Sequence, residues 1–189
     1  MSNFALGNAN YVVPPLSTVQ IYLLAQSIRR AYVEDNQQID LIDVLEHRIS
    51  PDGRVFNLEV YEDYEMAGSL GFTRPDGSGI VLSRSTYEGA ERSDGRSRFT
   101  VAHEFGHLAM HCREGYHRLA MPAESVPRYQ DPEWQANTFA AGLLAPIERA
   151  LVVDCAITIS EQYGMSYEAA NYYHTNFNKK RAELMRALK

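Results

Sequence analysis

Cysteine is scarce: Cys112 and Cys155 are the only two in 189 residues, which excludes a disulfide framework and suits a reducing compartment. Positive charge is short as well. Eighteen Lys and Arg stand against 24 Asp and Glu, and the net charge of -6 argues against a general affinity for nucleic acid. No apolar run approaches the roughly 20 residues of a membrane span, and the N-terminus lacks the basic stretch followed by an apolar one that marks a secretory leader. These absences predict a cytoplasmic protein with no membrane partner and no direct nucleic-acid partner. Internal repeats are missing too, and the glycines from Gly68 to Gly71 have neither common phosphate-loop spacing. What is left is an ordinary globular composition, 45% hydrophobic and 22% charged, on a chain long enough to bury one core. It reads as a single domain over 1–189, with 1–13 as a loose arm and 147–189 as a C-terminal helical part.

The stretch from Phe99 to His111 carries the chemistry. His103 and His107 are four residues apart, so on a helix both imidazoles lie on one face within reach of a single ion. Glu104 lies about 100° around that helix, placed to take a proton from water at the ion without being a ligand. Val101, Phe105, Leu108 and Cys112 form an apolar stripe on the other side, which anchors the helix. Two neutral imidazoles on a buried helix need partners, and a metal with a third ligand is the simplest one. His111 cannot be that ligand, because eight residues raise it about 12 Å above His103 along the axis.

Taken in order, the chain opens with a helix capped by Ser17 and running through Val19, Leu23, Ala25, Ile28 and Tyr32. A second short helix spans Ile39 to Leu45 and breaks at Ser50-Pro51-Asp52-Gly53. From Val55 to Tyr61 the period changes to two, as in a strand. Ser69 to Thr73 and Gly79 to Ser83 form a hairpin about Pro75-Asp76-Gly77-Ser78. A charged loop from Arg84 to Arg96 leads into the histidine helix, and the preceding strand, near Ile80 to Ser83, offers an edge for an extended peptide. The long segment after Cys112 suits a lid or substrate-binding loop. Asp131 and Pro132 then start a helix on which Glu133, Ala136, Asn137, Ala140, Ala141 and Leu144 share a face. Glu133 is the candidate third ligand, and Asn137, one turn on, can fix the tautomer of a ligand histidine. His111, Tyr116, His117 and Tyr129 are candidates to touch substrate or to stabilise the oxyanion. A helix, Gly164, helix layout near the C-terminus resembles helix-turn-helix only in outline.

Two stretches, Arg98-Phe99-Thr-Val-Ala-His103-Glu104-Phe-Gly-His107-Leu-Ala-Met-His111 and Glu133-Trp-Gln-Ala-Asn137-Thr-Phe-Ala-Ala-Gly-Leu-Leu-Ala-Pro146, resemble the ImmA/IrrE family of bacterial and phage metallopeptidases, with a weaker likeness over 17–178. The resemblance implies a gluzincin-like α+β domain with His103, His107 and Glu133 as zinc ligands and Glu104 as acid/base. It also implies site-specific cleavage of a helix-turn-helix repressor in a stress response or in control of a mobile element. Gln135 and Ala145 depart from the family, which commonly has Glu and Met there. The C-terminal sensor domain of the radiation-resistance members has no counterpart, which implies a separate activator or a paired repressor.

Residues and resemblance together predict an α+β fold of zincin type, with a small, mainly antiparallel three-stranded sheet packed against the zinc-binding helix and further helices. The predicted function is a zinc-dependent endopeptidase acting on one cytosolic protein, a helix-turn-helix repressor encoded nearby. The alternative is a non-catalytic or toxin/antitoxin-type partner-binding protein whose zinc only ties two helices. Three non-sulfur ligands with an open position favour catalysis.

Overall fold

The computed structural model describes residues 11–34, 37–49, 56–112, 119–120, 126–150, 152 and 155–188. Its first element, β1 (Tyr11–Val12), pairs antiparallel with β5 (Leu119–Ala120). Val12 and Val13 are buried, and the main-chain N–H groups of Val13 and Leu16 donate to Gln130 and Tyr129. The loose arm expected over 1–13 is therefore corrected at its end: the chain is built into the fold from Tyr11, while residues 1–10 lie outside the described residues.

Helix α1 (Thr18–Arg30) starts on a capping box between Ser17 and Gln20. It lies along α5 (Pro132–Leu144), where its buried Gln26 and Arg29 donate to the carbonyls of Gly142, Leu143 and Leu144. Those are last-turn oxygens that a helix cannot satisfy by itself. The short α2 (Leu41–Asp43) continues as a π-helical turn over Val44–Arg48.

The sheet of β2 (Asn57–Tyr61), β3 (Gly71–Thr73) and β4 (Gly79–Ser83) has the order β2-β4-β3. It is mixed rather than mainly antiparallel: β4 runs parallel to β2, from Asn57 opposite Gly79 to Tyr61 opposite Ser83, and antiparallel to β3. Ile80, Val81 and Leu82 have no exposed surface, and a strand apolar on both faces belongs in the middle of a covered sheet. Consequently β4 has no free edge, which corrects the expectation that a peptide would pair along Ile80 to Ser83. Among the described residues the open edges belong to β2 and β3.

The loop expected from Arg84 to Arg96 is instead largely a helix, α3 (Arg84–Glu91), capped by the Ser83 hydroxyl, which accepts from Thr86 N–H. Only Thr86, Gly89 and Ala90 are buried in it, so its inward face is too small to print an apolar period on the sequence. The histidine helix, α4 (Gly95–His111), follows from an Asp94 cap. After α5 come α6 (Ile147–Ala150), α7 (Ala156–Tyr163) and α8 (Tyr167–Ala187). Gly164 ends α7 in the left-handed region, φ 60° and ψ 44°. Ala170, Tyr173, Phe177 and Leu184 of α8 are buried in the same hydrophobic cluster as Ile21, Ile80, Val101 and Leu144. No helix among the described residues is long and apolar enough to cross a membrane.

The most extensive packing is between α4 and α5. It is close because residue 106 is glycine: a Cβ there would stand 3.1 Å from the Phe139 ring and 3.2 Å from Ala136 Cα. Since main-chain atoms yield less than a flexible side chain, Gly106→Val is expected to overpack the contact at a cost of about 1–3 kcal/mol. Thermal unfolding should then show a Tm several degrees below wild type. A Val variant that melts with the wild type would mean that the helices can spread freely.

Candidate metal centre

The first turn of α4 is held at two points before the histidines come into play. The Asp94 carboxylate accepts from Ser97 N–H at its start, and the buried Arg98 guanidinium donates to Gly164 O across 3.0 Å. One turn later His103 and His107 project toward the first turn of α5. Their Nε2 atoms are 3.0 Å apart, and Glu133 reaches in with Oε2 3.2 Å from His103 Nε2 and Oε1 3.4 Å from His107 Nε2. The three residues present ligand atoms all within 4.8 Å of one another.

The outward nitrogens of both rings are engaged, and the engagement sets the tautomers. His103 Nδ1 lies 2.9 Å from Asn137 Oδ1; an amide oxygen only accepts, so Nδ1 carries the hydrogen and Nε2 keeps its lone pair. The case of His107 is longer. Gln135 Nε2 donates to two main-chain oxygens, Pro14 O at 2.9 Å and Tyr129 O at 2.8 Å. A flipped amide would set oxygen against both, so the orientation is fixed. Gln135 Oε1 therefore faces His111 Nε2 across 3.1 Å and takes its hydrogen. His111 Nδ1 is left as an acceptor, 3.0 Å from His107 Nδ1, which must donate. His107 Nε2 is then bare as well.

This chain of bonds relocates His111. Expected at the substrate or the oxyanion, it is buried at 6% exposure behind His107 with both nitrogens used. Tyr129 is 52% exposed, and its main-chain oxygen is the part tied to Gln135. Tyr116 and His117 lie outside the described residues. Glu104 is buried at 7% exposure, with its Oε2 2.8 Å and its main-chain O 2.7 Å from the Thr73 hydroxyl on β3. Gln135 and Thr73 are the residues that sequence reasoning missed. The one available signal was the departure at 135.

Electrostatics follow the same layout. With protons rather than an ion on the facing nitrogens, the His103 and His107 rings donate to Glu133 and hold its carboxyl far below the usual carboxylate range. Burial disfavours the charged His103 ring, but the Glu133 hydrogen bond and the charges of Glu104 and Glu133 outweigh it, and the net shift is upward. His111 is pushed down to about 4, chiefly by burial.

Two bare imidazole nitrogens 3.0 Å apart repel unless a cation or proton lies between them. Around an ion with bonds of about 2.0–2.1 Å in tetrahedral array they would stand roughly 3.3 Å apart, so His103, His107 and Glu133 fit a divalent metal. A mixed α+β domain that turns two imidazoles and a neighbouring carboxylate toward one point has the design of a metallopeptidase. A family model agrees: that of the IrrE N-terminal-like domain, Peptidase M78, matches residues 70–174, from just before β3 into α8. The chain belongs to this family, and with it to proteins of metallopeptidase type. Searches of curated proteins and of solved structures each find no match.

Two outcomes are expected. With the Gln135 amide removed, the His111 and His107 rings lose their enforced tautomers, so Gln135→Met should bind zinc about 10–100-fold more weakly in a chelator competition. Unchanged affinity would show that the relay does not matter to the metal. The second concerns pH in the metal-free protein. The folded pKa of His111 is below the ordinary value of about 6.5, so the unfolded chain binds the extra proton between that value and about 4. The stability gained by burying the neutral ring is present above pH 6.5 and is lost as pH falls. His103, shifted upward, acts with the opposite sign. Urea unfolding of wild type and His111→Gln should thus converge in stability as pH drops through this window, and parallel curves would refute the assignment.

Proposed function

We propose that the chain is a zinc-dependent endopeptidase of HExxH type in which His103, His107 and Glu133 hold the ion and Glu104 is the acid/base. The observation that carries this reading is the convergence of three non-sulfur donors, with no fourth among the described residues, beside a buried carboxylate that is not part of the donor set. Zinc held there would supply a Lewis acid that polarises a carbonyl and lowers the pKa of water.

The chain's own residues do the rest. Thr73 holds the Glu104 side chain through Oε2, leaving Oε1 to take a proton from the attacking water and later pass it to the departing amine nitrogen. The same Thr73 ends β3, whose outer edge is open among the described residues. An extended peptide adding to that edge would run past Glu104 with its carbonyls fixed by main-chain hydrogen bonds. Asn137 and the pair of His111 and Gln135 hold the ligand rings in register.

For the substrate, a net charge of -6 would draw a basic partner, with steering that weakens as salt rises. Together with the family this favours selective cytoplasmic cleavage of a helix-turn-helix repressor. In the competing reading the metal only ties α4 to α5 and the domain holds a repressor or toxin without cutting it.

Glu104→Gln separates these readings. It should abolish cleavage while zinc stoichiometry stays at one per chain, and full proteolysis by that variant would end the mechanism. Incubating the zinc-loaded protein with the repressor encoded beside it, with Glu104→Gln as control, should give a discrete cut by fragment sequencing. An intact repressor alongside indiscriminate digestion of unfolded proteins would overturn the selectivity.

A further inference from the structure

Beside the metal donors the N-terminal parts of α4, α5 and α8 meet without closing, and leave a cleft of about 570 Å³. Glu133 and Asn137 form part of its wall, so it borders the metal donors through the carboxylate that meets His103 and His107. The rest is mostly apolar: the half-buried rings of Phe99, Trp134 and Tyr172 face the space, with buried Ala169 behind them. Trp134 is the only tryptophan in the chain, and the Arg128 guanidinium lies over its ring at 5.3 Å from the centroid.

The volume falls within the roughly 300–1,000 Å³ of small-ligand sites. Large aromatic faces in a cleft are filled best by another ring, because offset and edge-on contacts add to simple burial. Of the charged groups at the cleft, Arg96 and Arg128 stand against Asp131 and Glu168, while the Glu133 carboxylate is directed to His103 and His107, so the mixed signs give no strong preference for an acid or a base. We propose that this cleft is the specificity subsite of the peptidase, taking a bulky apolar and preferably aromatic side chain of the substrate residue beside the scissile bond. The proposal rests on the peptidase reading above and adds to it the class of residue at the cut.

Trp134 provides a readout that needs neither metal nor turnover. The metal-free full-length protein is titrated with capped hexapeptides, identical except for Phe, Leu, Ala, Glu or Lys at one central position, and tryptophan emission is followed. The Phe peptide should shift the emission saturably and bind at least tenfold more tightly than the Ala, Glu and Lys peptides, with Leu between. Ala169→Leu, which fills the base, should weaken the Phe peptide about tenfold. Tyr172→Ala, which removes one wall, should lower the ratio of Phe to Ala affinity even if the first variant folds poorly by circular dichroism. Equal affinity for all five peptides, or no emission change with any of them, overturns the subsite. If zinc-loaded protein cuts peptides with no aromatic preference, the subsite falls and the peptidase stands. Should Phe bind selectively with zinc loaded and no peptide or repressor be cut, the cleft stands as a binding site for aromatic side chains, and it is the peptidase reading that fails.

Discussion

The contact of α4 with α5 at Gly106 and Ala136 is the constraint on which everything else depends. Helix α4 contributes His103, His107, Glu104 and His111, while α5 contributes Glu133, Gln135 and Asn137, so the distances that bring the carboxylate and the amides to the histidines are distances between two rods. A single methyl group at residue 106 would press on Ala136, one turn from Glu133. The remaining elements brace the rods. Arg29 and Gln26 of α1 hold the far end of α5, Arg98 ties α4 to the turn before α8, and Thr73 ties the sheet to the middle of α4. Side chains mounted on rigid elements hold geometry better than side chains on loops.

The two sides of the centre differ in character. Behind His107 the protein uses neutral groups alone, an imidazole and an amide ending on two carbonyls. In front, the charge is carried by Glu133 at the surface, where hydration limits the cost of a carboxylate. The cleft continues from that side along aromatic walls, so the polar donors and the apolar surface share one rim.

Much of this was legible in the sequence because it is local. The spacing of His103 and His107 fixes a shared face, Asp131-Pro132 fixes the start of α5, and Asn137 falls one turn beyond Glu133, at the height of His103. What was not legible depends on partners distant in the chain. Gln135 acts through the carbonyls of Pro14 and Tyr129, and nothing in its neighbours announces them. His111 shows the same limit: its distance from His103 rules it out as a ligand, but only the fold reveals that it backs His107. The sheet order eluded the period of two, since alternation identifies strands without saying which one lies in the middle. Helix α3 was hidden by its small inward face.

Gln135 also ties the path of the N-terminal segment to the metal centre. Its amide satisfies Pro14 O and Tyr129 O together, and these oxygens hold down the stretch that begins with β1. A glutamate here has no hydrogen to give unless protonated, and then only one. Two carbonyls would face a carboxylate, and the strand would have to leave by another route. Residue 135 and the course of residues 11–16 are therefore expected to vary together among relatives, so that an amide at 135 marks chains whose N-terminal strand is folded back over the centre.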